Sequence, residues 1–89
     1  MVTQEITLKN EEGLHARPAT EIAKNASKYT CSINLDIQGN LYNAKSVLTI
    51  MSAGIKNNTQ IKIICDGVDE KEALSEIVEI FENLPQGRR

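Results

Sequence analysis

The chain has 89 residues, 40% apolar and 25% charged, with a net charge of −2 and no tryptophan. That size allows one small domain, residues 1–89, with a core that must be mostly aliphatic. No apolar run approaches a membrane span and no signal peptide opens the sequence, so a cytoplasmic protein without membrane insertion is expected. The few aromatics and the lack of a strong basic stripe exclude direct nucleic-acid binding as an expectation.

Val2 to Lys9 alternates, with Val2, Gln4, Ile6 and Leu8 on one face, and predicts a strand with one buried face. Asn10 to Gly13 reads as a loop. Pro18 is followed by Ala19, Ile22, Ala23 and Ala26, the spacing of one apolar helical face, so a helix is expected from about Ala16 to Lys28. Cys31 to Ile37 alternates again, Gln38-Gly39-Asn40 turns the chain, and Leu41 to Ala44 returns as a hairpin. Ser46 is a suitable N-cap for a short helix carrying Val47, Leu48, Ile50 and Met51, with Gly54 as its stop. Lys56 to Thr59 is polar loop and Gln60 to Cys65 a strand with Ile61, Ile63 and Cys65 on one face. Asp66-Gly67 is a turn. Asp69 and Glu72 have capping-box spacing, with aspartate as the N-cap, ahead of a helix that buries Ala73, Leu74, Ile77, Val78 and Phe81 and ends at Pro85 and Gly87. The order β-α-β-β-α-β-α asks for helices over the one apolar face of a sheet, an α+β two-layer sandwich. Pattern alone leaves the strand order open between ferredoxin-like and other arrangements.

Charge is uneven along the chain. Residues 1–65 carry seven Lys/Arg and five Asp/Glu, whereas residues 66–87 carry Lys71 against seven acids, mostly on the last helix. The less acidic part suits an acidic docking partner. Cys31 and Cys65 lie far apart with no CxxC and no histidine beside either. A metal site is not expected, and two reduced thiols are the default, with a disulfide left open.

The only histidine, His15, sits in Gly13-Leu14-His15-Ala16-Arg17-Pro18. It falls at or just before a helix N-terminus, where unpaired N–H groups and the positive end of the helix dipole favour an anion. Arg17 adds a guanidinium fork suited to phosphate oxygens. A neutral imidazole is a good nucleophile near neutral pH, the helix end disfavours imidazolium, and the same groups stabilise a phosphoryl group once attached. Attack by a neutral nitrogen needs no general base. A lone histidine before a helix is more often a surface residue or weak cap, so the site rests on the three features together.

Gly13 to Ala19 resembles the active-site motif of HPr, the phosphocarrier of the bacterial phosphoenolpyruvate-dependent sugar phosphotransferase system. A second block, Lys45 to Gly54, resembles the segment of HPr that carries its regulatory serine, and the likeness runs from Glu5 to about Leu84. The resemblance implies a four-stranded antiparallel sheet of order 1-4-2-3 with three helices on one side. It implies that His15 accepts a phosphoryl group, at Nδ1, from phospho-Enzyme I and passes it to an enzyme IIA domain. Arg17 and the backbone N–H groups of Ala16 and Arg17 would hold its charge. The protein would then be a monomeric covalent carrier and not an enzyme with its own pocket or cofactor.

The resemblance also implies that an HPr kinase phosphorylates Ser46, weakening transfer to His15 and promoting binding to a transcriptional regulator of carbon use. Serine before a short apolar helix is ordinarily just its cap, and the two roles are compatible, because phosphate there would sit on the helix's positive end. Leu14, Thr20, Val47, Leu48 and Met51, with Lys24 and Lys45 at the rim, are the expected docking surface, against the plainer reading of core packing. Two positions depart from the HPr pattern: Glu12 replaces a small polar residue, which puts the phosphorylation rate in question, and Thr49 stands where glycine or lysine is usual. The presence of His15 argues against Crh, the regulatory paralogue that lacks it. The alternatives are a regulatory module acting through Ser46 in carbon catabolite control, a nitrogen-branch HPr, or an unrelated fold with an accidental motif.

Overall fold

The computed structural model describes residues 1–10 and 16–84. Its elements are β1 (Val2–Thr7), α1 (Ala16–Ala26), β2 (Ser32–Ile37), β3 (Asn40–Asn43), α2 (Val47–Ser52), β4 (Gln60–Asp66) and α3 (Glu70–Glu82). All strand pairs are antiparallel in one sheet of order β1-β4-β2-β3, and the three helices cover one face of it. This is the α+β open-faced sandwich with the order that the resemblance implied.

Register explains the core. Leu35 lies opposite Ile63 and Ile33 opposite Cys65, and all four side chains are buried under the helices. From α1 come Ala19, Ile22, Ala23 and Ala26, small enough to let the helix lie close; from α3 come Ala73, Ile77 and Phe81. Leu74 and Val78 are only partly buried, because they lie at the flank of that helix. The alternation in β1 is weaker than its sequence suggests. Leu8 is buried, Val2 and Ile6 are half-buried, and Gln4, opposite Ile63, is exposed. The strand is a sheet edge, so its core-facing side lies at the margin of the helical layer.

The hairpin is tighter than the three-residue turn expected. Ile37 pairs directly with Asn40, leaving a two-residue loop of Gln38 (φ 55°) and Gly39 (φ 88°). Positive φ at both positions matches the twist of the flanking strands. On the uncovered face of the sheet, Glu5, Lys62 and Asp36 occupy one row across β1, β4 and β2, a charge alternation that suits a solvated surface.

The capping box at the start of α3 does not form. Asp69 occupies the N-cap place, yet its side chain makes no cap hydrogen bond. Its carboxylate instead accepts from the N–H groups of Thr30 and Cys31, both at 2.9 Å, across the sheet end. Two charge-assisted bonds to a loop outcompete one to the helix's own amide. The Thr30 amide, ahead of the smaller Cys31 contributions, holds the Asp69 carboxyl down at about 2, against an ordinary 3.8. A depressed carboxyl stabilises the fold above its unfolded value and loses that stabilisation as pH falls through the folded one. Urea midpoints should therefore drop between pH 4 and 2. The Asp69→Asn variant should start from a lower midpoint at pH 7 and show a shallower fall across that window; an unchanged slope would remove Asp69 from the acid response.

Cys31 and Cys65 are both buried and unbridged. Burial, and then the neighbouring Cys31 sulfur, pushes the Cys65 thiol up to about 11, which keeps it protonated. Among the described residues no group of His, Cys, Asp and Glu is arranged to hold a metal ion, and no helix is long and apolar enough to cross a membrane.

Candidate functional site at the start of the first helix

His15 and Leu14, with Glu12 and Gly13, lie outside the described residues, as do Pro85 and Gly87. The described residues on either side of the histidine segment are held by the fold. On its N-terminal side, Asn10 is buried and its N–H donates to Asn57 Oδ1 at 3.0 Å. The chain just before it is tied by Leu8, whose N–H donates to Thr59 and whose carbonyl accepts from Asn58. On its C-terminal side α1 begins at Ala16, with Pro18 and Ala19 buried against the core. Asn10 and the start of α1, the described residues on either side of this segment, are thus both held by the fold. Spacing placed Asn10 in a loop and gave no sign that it anchors one; an asparagine buried through a tertiary bond has no local signature.

The first turn of α1 contains no acidic residue. Its leading amides have no acceptor within the helix, and nothing anionic in that turn competes for them. Ala16 and Arg17 are exposed, and the Arg17 side chain makes no hydrogen bond or ion pair with any described residue. Thr20, also exposed, donates its hydroxyl back to the Ala16 carbonyl at 2.6 Å. Lys24 is exposed in the last turn. The leading amides and the Arg17 guanidinium can hold an anion at the helix end.

The short helix α2 packs against α1. Ser46 is its N-cap: the Thr49 N–H donates to Ser46 Oγ at 3.2 Å. Gly54 follows the C-cap with φ 62°, the left-handed conformation expected of a stop. Ile50 is fully buried, whereas Leu48 is 81% and Met51 42% exposed, and Val47 is half-buried. A two-turn helix can turn only a narrow stripe inward, so its remaining apolar side chains face solvent. Replacing Ser46 by alanine should lower stability by about 1 kcal/mol, while aspartate, an equally good cap, should hold it near wild type. Thermal unfolding of the two variants checks this, and equal losses would remove the cap from the account.

Lys45, expected at the rim of the docking surface, also has a partner within the fold. It is half-buried and its ammonium donates to the Tyr29 carbonyl at 2.7 Å, fastening the lead into α2 to the exit of α1. Tyr29 in turn donates its hydroxyl to Glu76 of α3, which also pairs with Lys28 at 2.9 Å. The bond to the Glu76 carboxylate, ahead of burial, pushes the Tyr29 phenol up to about 12.

The β1-β4-β2-β3 sheet under three helices, with an exposed, acid-free start of α1 directly after the histidine in sequence, defines a small open-faced sandwich of the HPr type. The family model for the HPr component phosphorylation site of the phosphotransferase system matches residues 2–83, and the chain belongs to that family. The structure is similar to a crystal structure of HPr from Thermoanaerobacter tengcongensis (TM-score 0.88, 38% identity, covering 92% of each chain). It also resembles a phosphocarrier HPr from Bacillus anthracis (TM-score 0.84, 31% identity, covering 90% of this chain and 95% of that one). Crh, the catabolite repression protein of Bacillus subtilis, matches as well (TM-score 0.75, 33% identity, covering 92% and 94%), in a structure described as a domain-swapped dimer. The chain is therefore a phosphotransferase-system phosphocarrier or an HPr-like regulator.

Proposed function

We propose that this chain is a cytoplasmic, monomeric phosphocarrier, a single domain over residues 1–89. In this reading His15 takes a phosphoryl group from phospho-Enzyme I and gives it to an enzyme IIA domain. The observation that carries it is the start of α1: an acid-free first turn, anchored by buried Pro18 and Ala19, directly after the sole histidine in sequence, with an exposed Arg17 that has no hydrogen-bond or ion-pair partner among the described residues. A neutral imidazole nitrogen attacks phosphorus, the N–P bond forms as the bond to the donor breaks, and the helix amides and Arg17 carry the charge. The labile N–P bond lets the group move on. Leu14, Val47, Leu48 and Met51 form the apolar part of the docking surface, and Thr20 and Lys24 its polar part.

The test is intact-mass analysis after incubation with Enzyme I and phosphoenolpyruvate. One phosphoryl mass is expected, lost on brief acid treatment and absent from His15→Ala. No gain with an active cognate Enzyme I would overturn the carrier reading.

A second reading, a regulator signalling through phospho-Ser46, is favoured by the cap geometry and by the match to Crh. An HPr kinase and a carbon-catabolite regulator would then be the partners. Its mark would be partner binding that survives His15→Ala and requires phosphate on Ser46.

A further inference from the structure

Among the described residues, α1 and α2 present a surface that carries a single acidic side chain. Glu21 is the only acidic residue of α1, and α2 with its flanks, residues 45–56, contains none. Glu21 is exposed and lines one shallow depression with Arg17, Thr20, Lys24 and Asn25. It stands one helical turn after Arg17 and just under a turn before Lys24, so the three side chains run along one line as cation, anion, cation. The side chains of Arg17, Glu21 and Lys24 form no hydrogen bond or ion pair with any described residue. Glu21 also borders the groove between α1 and α3, where Glu72 and Glu76 lie, and so marks where the basic face gives way to an acidic one.

We propose that Glu21 is a specificity-determining residue of the docking face and meets a cationic side chain on the protein that supplies the phosphoryl group. The matching surface carries carboxylates against Arg17 and Lys24 with one lysine or arginine between them. A partner that is acidic throughout meets like charge at Glu21 and is disfavoured, which is selection by repulsion as well as attraction. This inference rests on the carrier reading.

The experiment is steady-state phosphorylation of the full chain by the host's Enzyme I with phosphoenolpyruvate, comparing wild type, Glu21→Gln and Glu21→Lys. For Glu21→Lys, KM should rise about tenfold at low ionic strength with kcat unchanged, since one pair is lost and one repulsion gained. The effect should shrink in 0.5 M salt, and Glu21→Gln should fall between. Reversing the charge of one lysine or arginine on the donor's docking surface should restore the KM of Glu21→Lys. All variants should unfold at the wild-type temperature, because Glu21 is exposed. If KM for Glu21→Lys is unchanged or falls while wild type is phosphorylated, the inference is overturned and the carrier reading stands. If wild type itself gains no phosphoryl group, both fall.

Discussion

Replacing Arg17 by alanine should slow phosphoryl transfer to His15 about a hundredfold, with the fold unaffected. The guanidinium is the one fully charged donor at the start of α1, and no acid in that turn neutralises it. Removing a single donor from a site that stabilises transferring charge commonly costs ~10²–10³ in rate. The lower end applies here, because Arg17 is exposed and water can replace part of what it supplies. Arg17→Lys keeps the charge and loses the fork, and should land about tenfold below wild type. Since the Arg17 side chain makes no hydrogen bond or ion pair with any described residue, neither variant should shift the melting temperature by more than a degree or so. Stopped-flow quench followed by intact mass gives the rates. If the alanine variant transfers as fast as wild type, the helix amides hold the phosphoryl group alone.

The helix ends that frame this site were legible because their rules are local. Proline two residues into a helix, serine before one and glycine after one are decided by the nearest turn of backbone, and Pro18, Ser46 and Gly54 stand where such rules place them. The pairing of β1 with β4, more than fifty residues apart, is not local. Hydrophobic pattern left it open, and the order came from the likeness to HPr. Asp69 shows how a local rule fails. Its spacing to Glu72 satisfies the capping box, but two amides of a loop nearly forty residues earlier reach it first. The bond from Lys45 to the Tyr29 carbonyl was hidden for the same reason: a charge beside a docking helix reads as rim, and its partner within the fold is a tertiary one. Glu21 carries no pattern at all, since one glutamate on an exposed helix face is ordinary. Only the absence of other acids among the described residues of the α1–α2 surface sets it apart, and that surface exists only once the helices are packed.

The Asp69 clasp has a consequence for Gly67, where the second large effect is expected. Holding Thr30 and Cys31 by their amides pulls the start of β2 down onto the turn between β4 and α3. Gly67 sits at that point with φ 153°, a conformation that side chains rarely adopt. A Cβ there would lie 2.6 Å from Cys31 Cβ and 2.7 Å from Cys31 Cα. One of those atoms is backbone, and the Asp69 bonds fix it, so the loop cannot simply step aside. Backbone strain of ~1–3 kcal/mol and overpacking of a similar size together predict that Gly67→Ala loses about 3 kcal/mol. For a domain of this length that is a fall of about 15 °C in melting temperature. Gly39→Ala is the control. It also has positive φ, 88°, but nothing lies within 4 Å of its added Cβ, so it bears strain without overlap and should lose about 1 kcal/mol. Urea unfolding of both variants separates the two contributions. Equal losses at the two glycines would mean that Cys31 does not crowd the turn, and that the contact between the α1–β2 loop and the start of α3 is looser than the Asp69 bonds require.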